Sequence, residues 1–279
     1  MKFGFSTLAC PSWGVEQVVD AAAHLGYDGI EWRLLNGNVI DPVAGREQVE
    51  QAVRQCRQRG IGVCALDTSC RFNLRAPHDR EAQATSLLHW IELAHAVEVP
   101  LLRVFGGANQ AGEGPVPSED EVNSWVVTAL RAAAPAAARV GVTVALETHD
   151  AFSSARRTAI VLREVSSAYV GALWDSHHPY RVGETPEEVI DALGPRLVHV
   201  HVKDARRRTP GNADWQLVLL GEGEVPVREQ LQSLVRRQYQ GWVCVEWEKK
   251  WHPELAEPEV ALPQHIAWLK QVVEETSAV

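Results

Sequence analysis

A closed (β/α)8 barrel is the fold class the sequence predicts, and three observations point to it. Eight short β-rich runs alternate with longer helical stretches along the whole chain. The alternation fills 279 residues, close to the roughly 250 that such barrels use. No Gly-rich phosphate loop follows any of the runs, which disfavours the runner-up, an open doubly wound α/β sheet. A single domain spanning 1–279 is expected, since no linker or low-complexity segment divides the chain.

The strand candidates are 2–7 (KFGFST), 29–33 (GIEWR), 63–68 (VCALDT) and 101–107 (LLRVFGG). They continue with 142–150 (VTVALETHD), 170–178 (VGALWDSHH), 197–205 (LVHVHVKDA) and 242–248 (WVCVEWE). Each is rich in β-branched or aromatic residues. Between them, 15–25 has apolar residues at helical spacing and stops before Gly26, while 46–59 stops before Gly60. Helices are also expected over 78–97, 118–140, 156–166, 186–193, 225–238 and 258–276. Thr185 before Pro186 is good N-cap chemistry. Pro135 lies inside the fourth helix and predicts a kink or break. A polar insertion, 206–214, follows the seventh strand.

The seventh strand carries the sharpest question. In LVHVHVKDA, Val198, Val200 and Val202 alternate with His199, His201 and Lys203. Barrel strands are buried on both faces, so two histidines and a lysine on the inner face require polar partners. The ends of the other strands supply them: Glu31 and Arg33, Asp67, Arg103, Glu147 and His149, Asp175 with His177 and His178, and Glu246 with Glu248. The strand starts are mostly Val, Leu, Ala or Gly. Catalytic groups of such barrels gather at this C-terminal mouth.

Glu147, Asp175, His201 and Glu246, from four successive strands, make a candidate metal cage. Three carboxylates and one imidazole favour Mn²⁺, Mg²⁺ or Co²⁺, with Zn²⁺ or Fe²⁺ also compatible. Taken singly, each has a plainer role: a Glu paired with Arg103 or Lys203, a helix-capping Asp, a hydrogen-bonded core His. All four at corresponding strand ends favour the ion. His178 and Lys203 lie within reach of substrate oxygens, and Arg103 and Glu31 are further candidate substrate contacts. His178 precedes Pro179, which biases it to extended backbone, and His177 faces the other way if the strand persists. His199 is expected deeper in the barrel, orienting a neighbour. Trp247 and Trp251 either stack on a sugar face or pack the rim.

Bulk properties narrow the class. The formal charge is −9 and charged residues are 23% of the chain, a balance that argues against a nucleic-acid partner. Cys10, Cys56, Cys64, Cys70 and Cys244 are scattered, with no metal-finger spacing, as expected of free thiols in a reducing cytoplasm. No signal peptide is expected at MKFGFSTLAC, and no apolar run nears the about 18 residues of a membrane span.

The motifs ALETHD, LWDSHHPYRVGE, HVHVKDARRR, LLGEGEVPV and YQGWVCVEWEKKWHP resemble the xylose isomerase-like barrel superfamily of sugar (phosphate) isomerases and epimerases. The resemblance covers essentially the whole chain, its specific part starting at Glu147. It implies one divalent ion, Mn²⁺ foremost, held by Glu147, Asp175, His201 and Glu246. It also implies Glu147 and Glu246 as the acid/base pair and His178 and Lys203 as substrate contacts, with a small carbohydrate as partner. Proton removal beside a carbonyl on the ion would give an enediolate, leading to epimerisation, isomerisation or, by loss of a β-hydroxyl, elimination. ETHD after strand five departs from the E-P-x-N run of ketose epimerases, and VEWEKKWHP is also different. Both departures resemble members acting on keto-inositols or 3-keto-glycosides, which keeps a dehydratase or lyase open. Two other classes share the barrel: an abasic-site endonuclease, for which His149, His177, His178 and His199 would add zinc ligands, and a non-catalytic sugar-binding barrel. A homodimer paired through the mouth loops is also open.

Overall fold

Eight parallel strands close on themselves in the computed structural model, which describes residues 1–108, 116–209 and 214–278. They are β1 (Lys2–Ser6), β2 (Gly29–Trp32), β3 (Gly62–Arg71), β4 (Leu101–Phe105), β5 (Thr143–Glu147), β6 (Val170–Asp175), β7 (Leu197–Val202) and β8 (Trp242–Val245). Each pairs with its neighbours in sequence, and β8 returns to β1 in register Lys2 with Trp242 through Phe5 with Val245. The closed barrel excludes the open doubly wound sheet.

Helices cover the outside: α1 (Val15–Leu25), α2 (Arg46–Gln58), α3 (Pro77–Ala96), α4 (Glu119–Val140), α5 (Ala155–Val165), α6 (Pro186–Leu193), α7 (Val227–Arg236) and α8 (Pro258–Ser277). Local chemistry sets their starts. Ser118 Oγ accepts from the Glu121 N–H at α4, and Thr185 with Glu188 closes a full capping box at α6. The break expected at Pro135 is absent, and α4 runs unbroken through it. Proline removes only its own N–H bond to the carbonyl four residues back, that of Arg131; both residues are exposed, so water can satisfy that oxygen.

Two short antiparallel hairpins leave the barrel. Leu34–Leu35 pairs with Asn38–Val39 after β2, and Asp204–Arg207 pairs with Trp215–Val218 after β7. The second contains the polar insertion expected at 206–214, of which 210–213 lie outside the described residues. Asp204 ties this hairpin down: its carboxylate accepts from the backbone N–H groups of Ala205, Gly221, Gly223 and Val225. Gly223 permits this, because a Cβ there would stand 2.0 Å from Asp204 Oδ1.

Residues two apart on a strand share a face. Ala65, Leu101, Ala145 and Leu173 form a small apolar cluster of their own. Each lies two residues before Asp67, Arg103, Glu147 or Asp175, so the cluster is the barrel floor and the polar groups form the layer above it. The main core lies between barrel and helices and takes Val200 and Val202 of β7. Val198 does not join them as the alternation predicts. The ladder steps from Ala172–Leu197 to Leu173–His199, so Val198 is an extra residue, a β-bulge, and it packs against the floor. Gly171 makes room, since a Cβ there would lie 2.7 Å from a Val198 methyl.

Candidate active site

Glu147, Asp175, His201 and Glu246 bring one ligand atom each to within 4.8 Å of one another, all buried. β5 and β6 end on the first two, β7 carries His201, and Glu246 follows β8, its N–H bound to Val202 O. His201 Nδ1 lies 3.3 Å from Glu147 Oε1 and 3.4 Å from Glu246 Oε1. Glu147 Oε1, Asp175 Oδ2 and His201 Nδ1 are buried without a hydrogen bond. Their partners are ionic alone: Lys203 stands 3.0 Å from Asp175 Oδ2, and His201 Nδ1 meets only the two glutamates, so the donor atoms converge on one buried point that suits a ligand.

Each donor is braced from behind. His201 Nε2 lies 2.9 Å from Glu31 Oε1, and His199 Nε2 lies 2.7 Å from Glu31 Oε2. A carboxylate facing Nε2 fixes the proton there and turns the Nδ1 lone pair to the cluster. Glu147 Oε2 is 3.2 Å from Arg103 Nη1, and Arg103 Nη2 is 3.4 Å from Asp67 Oδ2. Lys203 Nζ sits 3.0 Å from Asp175 Oδ2 and 2.5 Å from both Glu246 Oε2 and Glu248 Oε1. Asp175 Oδ1 accepts from the N–H groups of His177 and His178. Asp175 therefore caps a turn with one oxygen and faces the cluster with the other.

The electrostatics favour a cation. Glu31, Asp67, Glu147, Asp175, Glu246 and Glu248, six acidic groups, face Arg33, Arg103 and Lys203 together with the imidazoles of His199 and His201. Burial, reinforced by Glu31, pushes the Asp67 carboxyl well up. Burial also raises Asp175, to about 6, against the pull of Lys203. Burial would raise Glu147 and Glu246 too, but Arg103 outweighs it at Glu147 and Lys203 with His201 at Glu246, and both stay below the usual carboxylate range. Burial would depress His201, but Glu31 and Glu246 override it and hold it well up.

Two other groups reach ligand spacing among the described residues: Glu31 with His199 and His201, and Glu31 with Cys64 and Cys244. The first is already closed by its own hydrogen bonds. In the second, burial raises both thiols, and a thiol is a poor metal ligand. All five cysteines are free and buried.

A cavity of about 230 Å³ opens beside the cluster, lined in part by His149, His177, His178, Lys203, Trp215 and Glu248. His178 and Lys203, expected as substrate contacts, both line it. His177 does not face away: the strand ends at Asp175, and the chain turns into the helical turn His178–Arg181. The Asp175 cap also overrides the extended bias that Pro179 imposes on His178. Arg103 and Glu31, expected against substrate, are fully buried and committed to Glu147 with Asp67 and to the two histidines. Trp247, expected either to stack on a sugar or to pack the rim, packs the rim. It is buried, donates from Nε1 to Ala256 O and meets His265 edge-on. Trp251 is half-exposed. Trp215, which the sequence reading missed, supplies the aromatic wall from the hairpin after β7. Its only sequence signal is a tryptophan directly after a polar insertion.

Comparison with known proteins extends the picture. Fructoselysine 3-epimerase of Escherichia coli O157:H7 is 23% identical over 254 residues, 88% of this chain and 90% of that protein. Inosose dehydratase of Bacillus licheniformis is 32% identical over 103 residues, 33% of this chain and 34% of that protein. The crystal structure of the IolI protein with a bound zinc atom superposes with a TM-score of 0.82 at 19% identity, covering 99% of both chains. No helix among the described residues is long and apolar enough to cross a membrane. Residues 19–272 match the family model described as xylose isomerase-like TIM barrel, and the chain belongs to that family.

Proposed function

We propose that this protein is a divalent-metal-dependent isomerase or epimerase of a keto-sugar or related polyol, working in the cytoplasm on a small carbohydrate. The observation that carries the reading is the convergence of Glu147, Asp175, His201 and Glu246, one donor atom each, on one buried point. These four residues would hold the ion, with Mn²⁺ first and Mg²⁺, Co²⁺, Zn²⁺ or Fe²⁺ as alternatives. When bound, such an ion acidifies the C–H beside a carbonyl and stabilises the negative charge that develops.

The chain's residues then handle the proton. Glu147 has one oxygen held by Arg103, and Glu246 has one held by Lys203. The second oxygen of each points toward the cluster. Both are kept ionised at neutral pH, as a base must be. Glu147 comes from β5 and Glu246 from the end of β8, so one removes a proton from the substrate carbon and the other returns it from the opposite face. A second reading, elimination of a β-hydroxyl, is favoured by His178. Its ring nitrogens are buried and unpartnered, and burial with Lys203 holds the imidazole well below its usual range, so a neutral ring N–H would hydrogen-bond a leaving hydroxyl rather than protonate it.

The test is metal content by elemental analysis, followed by solvent deuterium uptake into keto-sugars measured by NMR. About one ion per chain, lost in Asp175→Asn together with deuterium uptake, is the expected result for a single-ion centre. Uptake with retention of every hydroxyl indicates epimerisation or isomerisation, and loss of water indicates the lyase. Absence of metal after soaking in Mn²⁺ refutes the reading.

A further inference from the structure

Strand β2 brings a cation to the mouth that the proton chemistry leaves unused. Residues two apart on a strand share a face, so Arg33 stands one layer nearer the mouth than the inward-facing Glu31. Its backbone is clamped, since Thr7 Oγ1 accepts from the N–H groups of Arg33 and Leu34 at 3.0 and 2.8 Å. The residue is 8% exposed, and its Nη1 donates to Asp67 O at 3.1 Å and to Ser69 Oγ at 2.8 Å. Both acceptors are neutral. Arg103 and Lys203, the other buried cations of the mouth, are paired with carboxylates. Arg33 has no carboxylate at ion-pair distance among the described residues. Its Nε and Nη2, which carry three N–H groups, bond to nothing among those residues and are not sealed from solvent.

A guanidinium held inside protein by neutral acceptors alone keeps most of its desolvation cost. Burial and the neighbouring Arg103 pull Arg33 down to about 10, so it stays charged at neutral pH; Asp67, Glu147 and Glu246 oppose that pull, none of them at ion-pair distance. The free edge is planar. Nε with one N–H of Nη2 presents two parallel donors, the pattern that matches two oxygens of a carboxylate or phosphate. In the closed barrel β2 and β3 lie across from β6 and β7, whose ends wall the cavity with His177, His178 and Trp215. We propose that Arg33 is a specificity-determining residue that takes an oxyanion group of the substrate, carboxylate or phosphate, on its Nε–Nη2 edge. The assignment rests on the isomerase reading for the reacting centre alone. It places the charged end of the substrate across the mouth from the cavity.

The experiment follows the Arg33 Nε–H signal by nitrogen-15 NMR of the full chain with Mg²⁺ present, during titration with acetate, inorganic phosphate, chloride and glycerol. Arg33→Lys assigns the signal, and Arg33→Gln replaces it if the lysine variant does not fold. Acetate, phosphate or both shift the signal saturably below about 100 mM, and the two titrations tell which group fits the edge. Chloride at the same ionic strength and glycerol leave the signal in place. Absence of a saturable shift with either oxyanion up to about 100 mM, an equal shift with chloride, or a shift with glycerol alone overturns the proposal. Because binding is read at Arg33 without turnover, failure of the isomerase reading shows separately, as an oxyanion that saturates the signal while no keto-sugar exchanges deuterium.

Discussion

Replacing Glu31 by Gln alters one atom of a buried side chain outside the cluster of Glu147, Asp175, His201 and Glu246, and the proposed metal site then predicts a loss of metal affinity. Glu31 Oε1 is 2.9 Å from His201 Nε2 and Oε2 is 2.7 Å from His199 Nε2. A carboxylate accepts from both imidazoles at once. The glutamine amide must place an NH₂ against one of them. If it faces His201, two donors oppose each other and the imidazole moves its proton to Nδ1, the atom 3.3 Å from Glu147 and aimed at the ligand point. If it takes the Oε2 position, it opposes both rings, because His199 Nε2 at 2.7 Å and His201 Nε2 at 3.0 Å bond that one oxygen. Loss of such a buttressing partner costs about 10–100-fold in metal affinity, or about 1.4–2.7 kcal/mol. The assay is Mn²⁺ titration by calorimetry on wild type and Glu31→Gln, with circular dichroism to verify folding. A folded variant whose affinity stays within about twofold of wild type would refute the argument that His201 is oriented from behind.

Other consequences are open to measurement. Arg103→Met should destabilise the fold by about 3–5 kcal/mol, because it leaves Glu147 and Asp67 as buried carboxylates without their shared cation; denaturant unfolding measures it, and a change below about 1 kcal/mol would contradict the pairing. His265 is buried against Trp247, accepts from the Leu220 N–H, and is depressed by burial from 6.5 to about 3. The unfolded chain then binds the extra proton, so this contribution to stability is complete above about pH 6.5 and falls as pH drops toward 3, by about 2 kcal/mol at pH 5. His265→Gln should remove that part of the acid slope, and an unchanged slope would show that His265 does not titrate on unfolding. Gly171→Ala should cost about 1–3 kcal/mol through its clash with Val198. Adding Val198→Ala should return part of that loss, and strict additivity in the double-mutant cycle would count against the bulge packing.

The barrel was legible because its signals are local and repeated. Every strand has β-rich composition, and every strand end changes from apolar to polar at the same point. That polarity also located Glu147, Asp175, His201 and Glu246. The errors came where one side chain overrides a local pattern. Asp175 turns its oxygen back onto two N–H groups, which ends β6 early and swings His177 into the cavity. Val198 alternates perfectly in sequence, and the bulge that reverses it is announced only by Gly171 on the neighbouring strand. Trp215 and Trp247 are both tryptophans beyond a barrel strand, and only the folding back of the hairpin after β7 brings the former to the mouth. Arg103 and Glu31 were placed at the right strand ends, but the sequence could not say that their charges were already consumed by neighbours.

Asp175 holds the backbone of His177 and His178 with Oδ1 while Oδ2 points into the carboxylate cluster. One carboxylate therefore links the proposed ion position to the backbone that carries both imidazoles. An ion at Oδ2 would orient the group that positions the two rings, and a ligand steadying those rings would act back on the ion. Thermodynamic reciprocity would make the two effects equal: the factor by which the ion sharpens affinity for that ligand would be the factor by which the ligand sharpens affinity for the ion.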